Sequence, residues 1–146
     1  MSSLLEFFTH LLDTSDFPAR WSCGRWSPAH GWLHIVSDAL IFGAYTAIPA
    51  SLAVFAIRRR DLPLRPIFWL FVAFIMSCGL THLVEAILFY EPVYRLSGVM
   101  KAATALVSWA TVIALVRVLP SALTLPGVRT ANDMLRAEIA RRTIVE

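Results

Sequence analysis

Three long stretches, residues 32–57, 66–90 and 96–119, carry almost only apolar side chains. At a rise of about 1.5 Å per residue, each is about 36 Å or longer as a helix. A bilayer hydrocarbon core is about 30 Å thick. Residues 39–57 and 66–84 contain no Asp, Glu, Lys or Arg. The pattern predicts an all-α membrane protein with three transmembrane helices.

The flanks differ from the spans. Leu4, Leu5, Phe7, Phe8, Leu11 and Leu12 suit an amphipathic helix lying on the membrane surface, with a disordered tail as the alternative. The start lacks a basic region and is interrupted by Glu6, so it does not read as a cleavable signal. Trp21, Trp26 and Trp32 suit an interfacial belt. Beyond the third stretch, Pro120 and Pro126-Gly127 are expected to break the helix. A polar helical pattern then runs from about residue 130 to 146. Leu135 and Ile139 hint at a seam there, but two heptads are too few to establish a coiled coil. The pattern ends without a cap, which predicts a cytoplasmic continuation. No internal repeat or low-complexity segment is visible.

Charge sets the orientation. The first connection, residues 58–65, holds four Arg in eight positions, whereas the second sets Glu91 against Arg95. Arg117 lies at the end of the third stretch, and Arg129, Arg136, Arg141 and Arg142 follow it. The positive-inside rule therefore puts the N-terminus outside and the C-terminus in the cytoplasm. The expected organisation is an extracytoplasmic segment (1–31), a three-helix membrane domain (32–120) and the start of a cytoplasmic helical linker (121–146).

Composition agrees with a membrane protein. The chain is 58% hydrophobic and 16% charged, with a mean hydropathy of +0.65. Soluble domains carry about a quarter charged residues. Two cysteines exclude a disulfide-stapled module. The net charge of +3 raises the question of nucleic acid. The Arg residues sit at the edges of apolar runs without a basic aromatic face, so no nucleic-acid partner is expected.

Ionisable groups inside the spans carry the chemistry, because they are costly there. His34, Asp38, Tyr45 and Pro49 share one face of the first helix. Cys78, His82 and Glu85 share one face of the second, and Lys101 lies on the third. Counted from the outer ends, Asp38 lies roughly 9 Å deep, His82 about 12 Å and Lys101 roughly 8 Å. A thiol and an imidazole one turn apart can close on one metal ion. Soft sulfur favours Cu(I), and a closed zinc site would want four ligands. Packing alone also accounts for a lone Cys-x-x-x-His. Asp38 paired with Lys101, Glu85 reaching the headgroups, Tyr45 bonded to a carbonyl and Pro49 as a mere kink are the plainer alternatives.

The stretch Ser37-Asp38-Ala39-Leu40-Ile41-Phe42-Gly43-Ala44-Tyr45-Thr46-Ala47-Ile48-Pro49 resembles the first membrane helix of the ethylene receptor family. Ala73-Phe74-Ile75-Met76-Ser77-Cys78-Gly79-Leu80-Thr81-His82-Leu83 is similar to that family's F-I-x-x-C-G-x-T-H-L signature. The run from Lys101 to Ser108 resembles its third helix. Together these cover nearly all of residues 32–120. The Trp32-Leu33-His34 start and the single upstream Cys23 look closer to bacterial members, implying a bacterial inner membrane.

The resemblance implies a copper-dependent ethylene-binding domain in which Cys78 and His82 match the Cu(I) ligands. It marks Asp38 as a further contributor, and Ala44, Tyr45, Ile48, Pro49 and Ile75 as pocket or signalling positions. Lys101, Glu85 and Ile41 are supporting positions. It further implies a homodimer in the bilayer whose third helix continues into a cytoplasmic sensor domain and a histidine kinase, with a response regulator downstream. Asp38 can balance the metal's charge, accept from His82 behind the metal or ligate weakly; its hard carboxylate favours the second role. Two departures stand out. The paired N-terminal cysteines of plant receptors are reduced to Cys23, which can form one intermolecular disulfide, assist copper delivery or stay inert. Glu85 adds a carboxylate one turn beyond His82.

Two other functions remain open: a structural anchor that dimerises a signalling protein, and a copper-handling membrane protein. Only Met76 and Met100 lie within the helices, which disfavours a metal path. No nucleophile–base pair, phosphate loop or histidine-kinase motif is visible, so this stretch is not expected to be an enzyme.

Overall fold

The computed structural model describes residues 2–58, 65–124 and 128–145, and its regular elements are all helical. They are α1 (Ser2–Thr9), a single 3-10 turn (Arg20–Ser22), α2 (Pro28–Arg58), α3 (Arg65–Ile87), α4 (Tyr94–Thr124) and α5 (Val128–Val145). Three stretches within them, Pro28–Arg58, Pro66–Ile87 and Tyr94–Pro120, are long and apolar enough to cross a membrane. Most of the Arg-rich first connection lies outside the described residues, as does Pro126-Gly127.

Local chemistry explains where the helices depart from the apolar pattern. α2 starts before Trp32 because Ser27 caps it: its Oγ accepts the His30 amide at 3.3 Å, and Pro28 occupies the first helical position. Pro120 was expected to end the third helix, but it lies inside α4. Proline removes only its own N–H, and the following turns resume their bonding, as in many apolar helices. The first residues form α1 rather than a disordered tail.

The chain divides into two compact units, Met1–Val112 and Ile113–Glu146. In the first, α2 and α3 make the close helix pair. A Cβ at Gly79 would lie 2.9 Å from Tyr45 Cβ and 3.6 Å from the Tyr45 carbonyl, so only glycine permits this approach. Pro49 is fully buried and offers no N–H to that same carbonyl. Thr46 and Ser51 bond back to Phe42 and Ala47 on either side of the proline (2.8 and 2.9 Å). Gly79→Ala is therefore expected to wedge α2 from α3 and cost about 1–3 kcal/mol, the range for overpacking. A lowered melting temperature in detergent checks this; an unchanged one shows the contact to be soft.

The N-terminal segment packs over the end of α3. The Arg20 amide bonds the Leu88 carbonyl at 2.9 Å. Trp21 and Trp26 stand edge-on to the fully buried Phe89, at 5.3 and 5.2 Å between ring centroids. Trp21 covers Gly31 so closely that any Cβ there would overlap the indole. Arg95 at the start of α4 bonds the His10 carbonyl at 3.1 Å and pairs with the Asp16 carboxylate. Asp13 accepts the Ser15 amide at 2.9 Å, and that bond leads in holding its carboxyl down at about 2.

In the second unit, Glu138 of α5 pairs with Arg141 at 3.3 Å and Arg142 at 3.0 Å, one turn along the same face. Leu135 and Ile139 are exposed there.

Candidate metal centre

The α2–α3 pair brings two polar groups into contact. Asp38 Oδ1 lies 2.8 Å from His82 Nδ1, with the carboxylate largely shielded and the imidazole about one third exposed. A carboxylate only accepts, so Nδ1 carries the proton and donates. That assignment leaves the His82 Nε2 lone pair free, the arrangement usual for a metal-binding histidine. Tyr45 stands edge-on to the His82 ring, at 6.1 Å between centroids.

Cys78 is half-buried one turn below His82 on α3. Its neighbours fix the local backbone: Thr81 Oγ1 donates to the Cys78 carbonyl at 2.6 Å, and Thr104 Oγ1 of α4 donates to the Ser77 carbonyl at 3.2 Å. Among the described residues, no three His, Cys, Asp or Glu side chains form a metal-holding group. The available donors are thus one sulfur and one imidazole nitrogen on adjacent turns. That pair is too small for structural zinc and suits Cu(I), a soft ion satisfied by few ligands.

One turn further along α3, Glu85 takes a different role from either expectation. Its Oε2 pairs with Arg20 Nη2 at 2.6 Å, and its Oε1 with Lys101 Nζ at 2.6 Å and Ser97 Oγ at 3.1 Å. Lys101 is therefore paired with Glu85, not with Asp38. Burial opposes the charge on Arg20, but the Glu85 carboxylate outweighs it and raises the guanidinium's pKa further. Arg20 and Ser97 were missed by the sequence reading. The available signal was Glu85 itself, since a carboxylate in an apolar helix needs a counter-charge.

The remaining expected positions divide. Pro49 is buried, and Ile41, Tyr45 and Ile75 are half-buried, whereas Ala44 and Ile48 lie exposed on the single chain. His34 turns toward His30 and Trp26 rather than toward His82.

Fold and site together define an all-helical, multi-pass membrane domain with a carboxylate–imidazole pair between its first two spans and a thiol one helical turn from that imidazole on the second. Residues 30–125 match the family model of the Ethylene receptor 1-like, N-terminal domain, and the chain belongs to that family. Ethylene receptor 2 of Oryza sativa subsp. japonica is 46% identical over 105 residues, 69% of this chain and 13% of that protein. Ethylene receptor 3 of the same plant is 41% identical over 115 residues, covering 75% and 14%. Ethylene receptor 2 of Arabidopsis thaliana is 40% identical over 88 residues, covering 58% and 11%. The chain thus spans about one seventh or less of these curated relatives. No solved structure matches it.

Proposed function

We propose that this chain is an ethylene-sensing input domain that holds Cu(I) on Cys78 Sγ and His82 Nε2. The carrying observation is the 2.8 Å contact between Asp38 and His82 Nδ1, which leaves the opposite ring nitrogen as a donor one helical turn along α3 from Cys78. Asp38 fixes the ring and its tautomer rather than ligating, and its charge offsets that of a cation. Bound Cu(I) supplies donation into an alkene π* orbital, an affinity that ethylene cannot obtain from side chains alone. Tyr45, Pro49, Ile41 and Ile75 form the surrounding wall and restrict water; Ala44 and Ile48 complete it where a second copy or lipid covers α2.

Family membership supports an orientation with the N-terminus outside and α4 leading toward a cytoplasmic histidine kinase, working as a homodimer. It supports residues 32–120 as the sensor and 121–146 as the start of the linker. The lone Cys23 favours a bacterial inner membrane. Ethylene retention tests the reading directly. Copper-loaded protein is expected to retain labelled ethylene, and protein stripped with a Cu(I) chelator to lose it. Equal retention in both samples, or none in fully loaded protein, overturns the proposal.

A further inference from the structure

Outside the centre just described, a second pair of imidazoles meets at the start of α2. His30 and His34 are one turn apart, both exposed, and their Nε2 atoms lie 3.2 Å from each other. Two nitrogens bound to one ion at about 2.0–2.1 Å and separated by that distance subtend about 105°, close to the tetrahedral angle. The rings are not loosely placed. Trp26 packs against His30 at 4.9 Å and stands edge-on to His34 at 5.4 Å, and its own Nε1 is tied to the Cys23 carbonyl at 2.8 Å. The Ser27 cap fixes the first turn beneath His30. An i,i+4 pair on a capped helix, steadied by an indole, is a prearranged two-nitrogen chelate with both rings exposed on the single chain.

We infer that His30 and His34 form a second metal site, taking one borderline first-row divalent cation such as Zn2+ through both Nε2 atoms with water completing the shell. Imidazole suits Zn2+, Cu2+ and Ni2+, whereas the thiol-containing centre favours a softer ion. The site does not depend on the copper reading. Occupied, it staples the first turns of α2, on the helix that carries Asp38 one turn beyond His34.

Calorimetric titration of Zn2+ into the full chain, purified in detergent without a polyhistidine tag, tests the site. The wild type is expected to bind one Zn2+ per chain. Because the second imidazole acts intramolecularly, His30→Gln and His34→Gln should each weaken binding on the order of a hundredfold. His10→Gln, which removes the exposed His10–Asp13 pair (3.2 Å), should bind as wild type does. Circular dichroism confirms that each variant keeps its helices. The site is overturned if either Gln variant binds Zn2+ like the wild type, or if the wild type binds none. Loss of binding only in His10→Gln also overturns it, by placing the ion elsewhere.

Discussion

Desalting after anaerobic Cu(I) loading is expected to leave copper on the wild-type chain and none on Cys78→Ser or His82→Ala. The expectation follows from the small donor set. With one sulfur and one nitrogen available, losing either leaves a single ligand, and a single ligand does not hold an ion through a column. Serine keeps the size of cysteine but replaces a soft donor with a hard one, so steric rescue is not an escape. Asp38→Asn should fall between. The amide oxygen still accepts from Nδ1, but the negative charge is gone, and changes behind a metal ligand cost about 10–100-fold in affinity. Copper retained equally by all four proteins would sink the centre and leave a dimerising membrane anchor as the better description.

Glu85→Gln is the second large effect. One carboxylate serves Arg20, Lys101 and Ser97, and the substitution leaves two cations facing a neutral amide in apolar surroundings. Breaking a fully buried pair costs roughly 3–5 kcal/mol. The Arg20 and Glu85 side chains keep 22% and 19% exposure and Lys101 keeps 60%, so screening reduces the expectation to about 2–3 kcal/mol. Two measurements check it: a lower melting temperature, and faster tryptic cleavage after Arg20, whose guanidinium is released from the carboxylate. If both match the wild type, Glu85 is a spectator.

Much of this architecture was legible from residue spacing. Charge-free runs longer than a bilayer core leave helices as the only economical way to satisfy the backbone. The spacing of Cys78, His82 and Glu85 set their common face before any packing was known. What spacing does not carry is partner choice across helices. Asp38 and Lys101 have opposite charge and similar depth, and pairing them is a natural guess. The structure instead gives Asp38 to His82 and Lys101 to Glu85, because α2 and α3 close tightly at Gly79 while α4 presents both Lys101 and Ser97 to Glu85. Arg20 was invisible for a related reason. It lies in a short turn without periodicity, and its role depends on a residue 65 positions away.

That separation has a consequence for biogenesis. The segment holding Arg20 is synthesised before α2, α3 and α4, yet its partner Glu85 emerges 65 residues later. At about 5–20 residues per second, the delay is about 3–13 s. During that interval the guanidinium and the indoles of Trp21 and Trp26 have no Glu85 or Phe89 to dock on, so they are open to chaperones and proteases. Closure of the N-terminal segment is therefore a late assembly event, which has to wait until the end of α3 has been made.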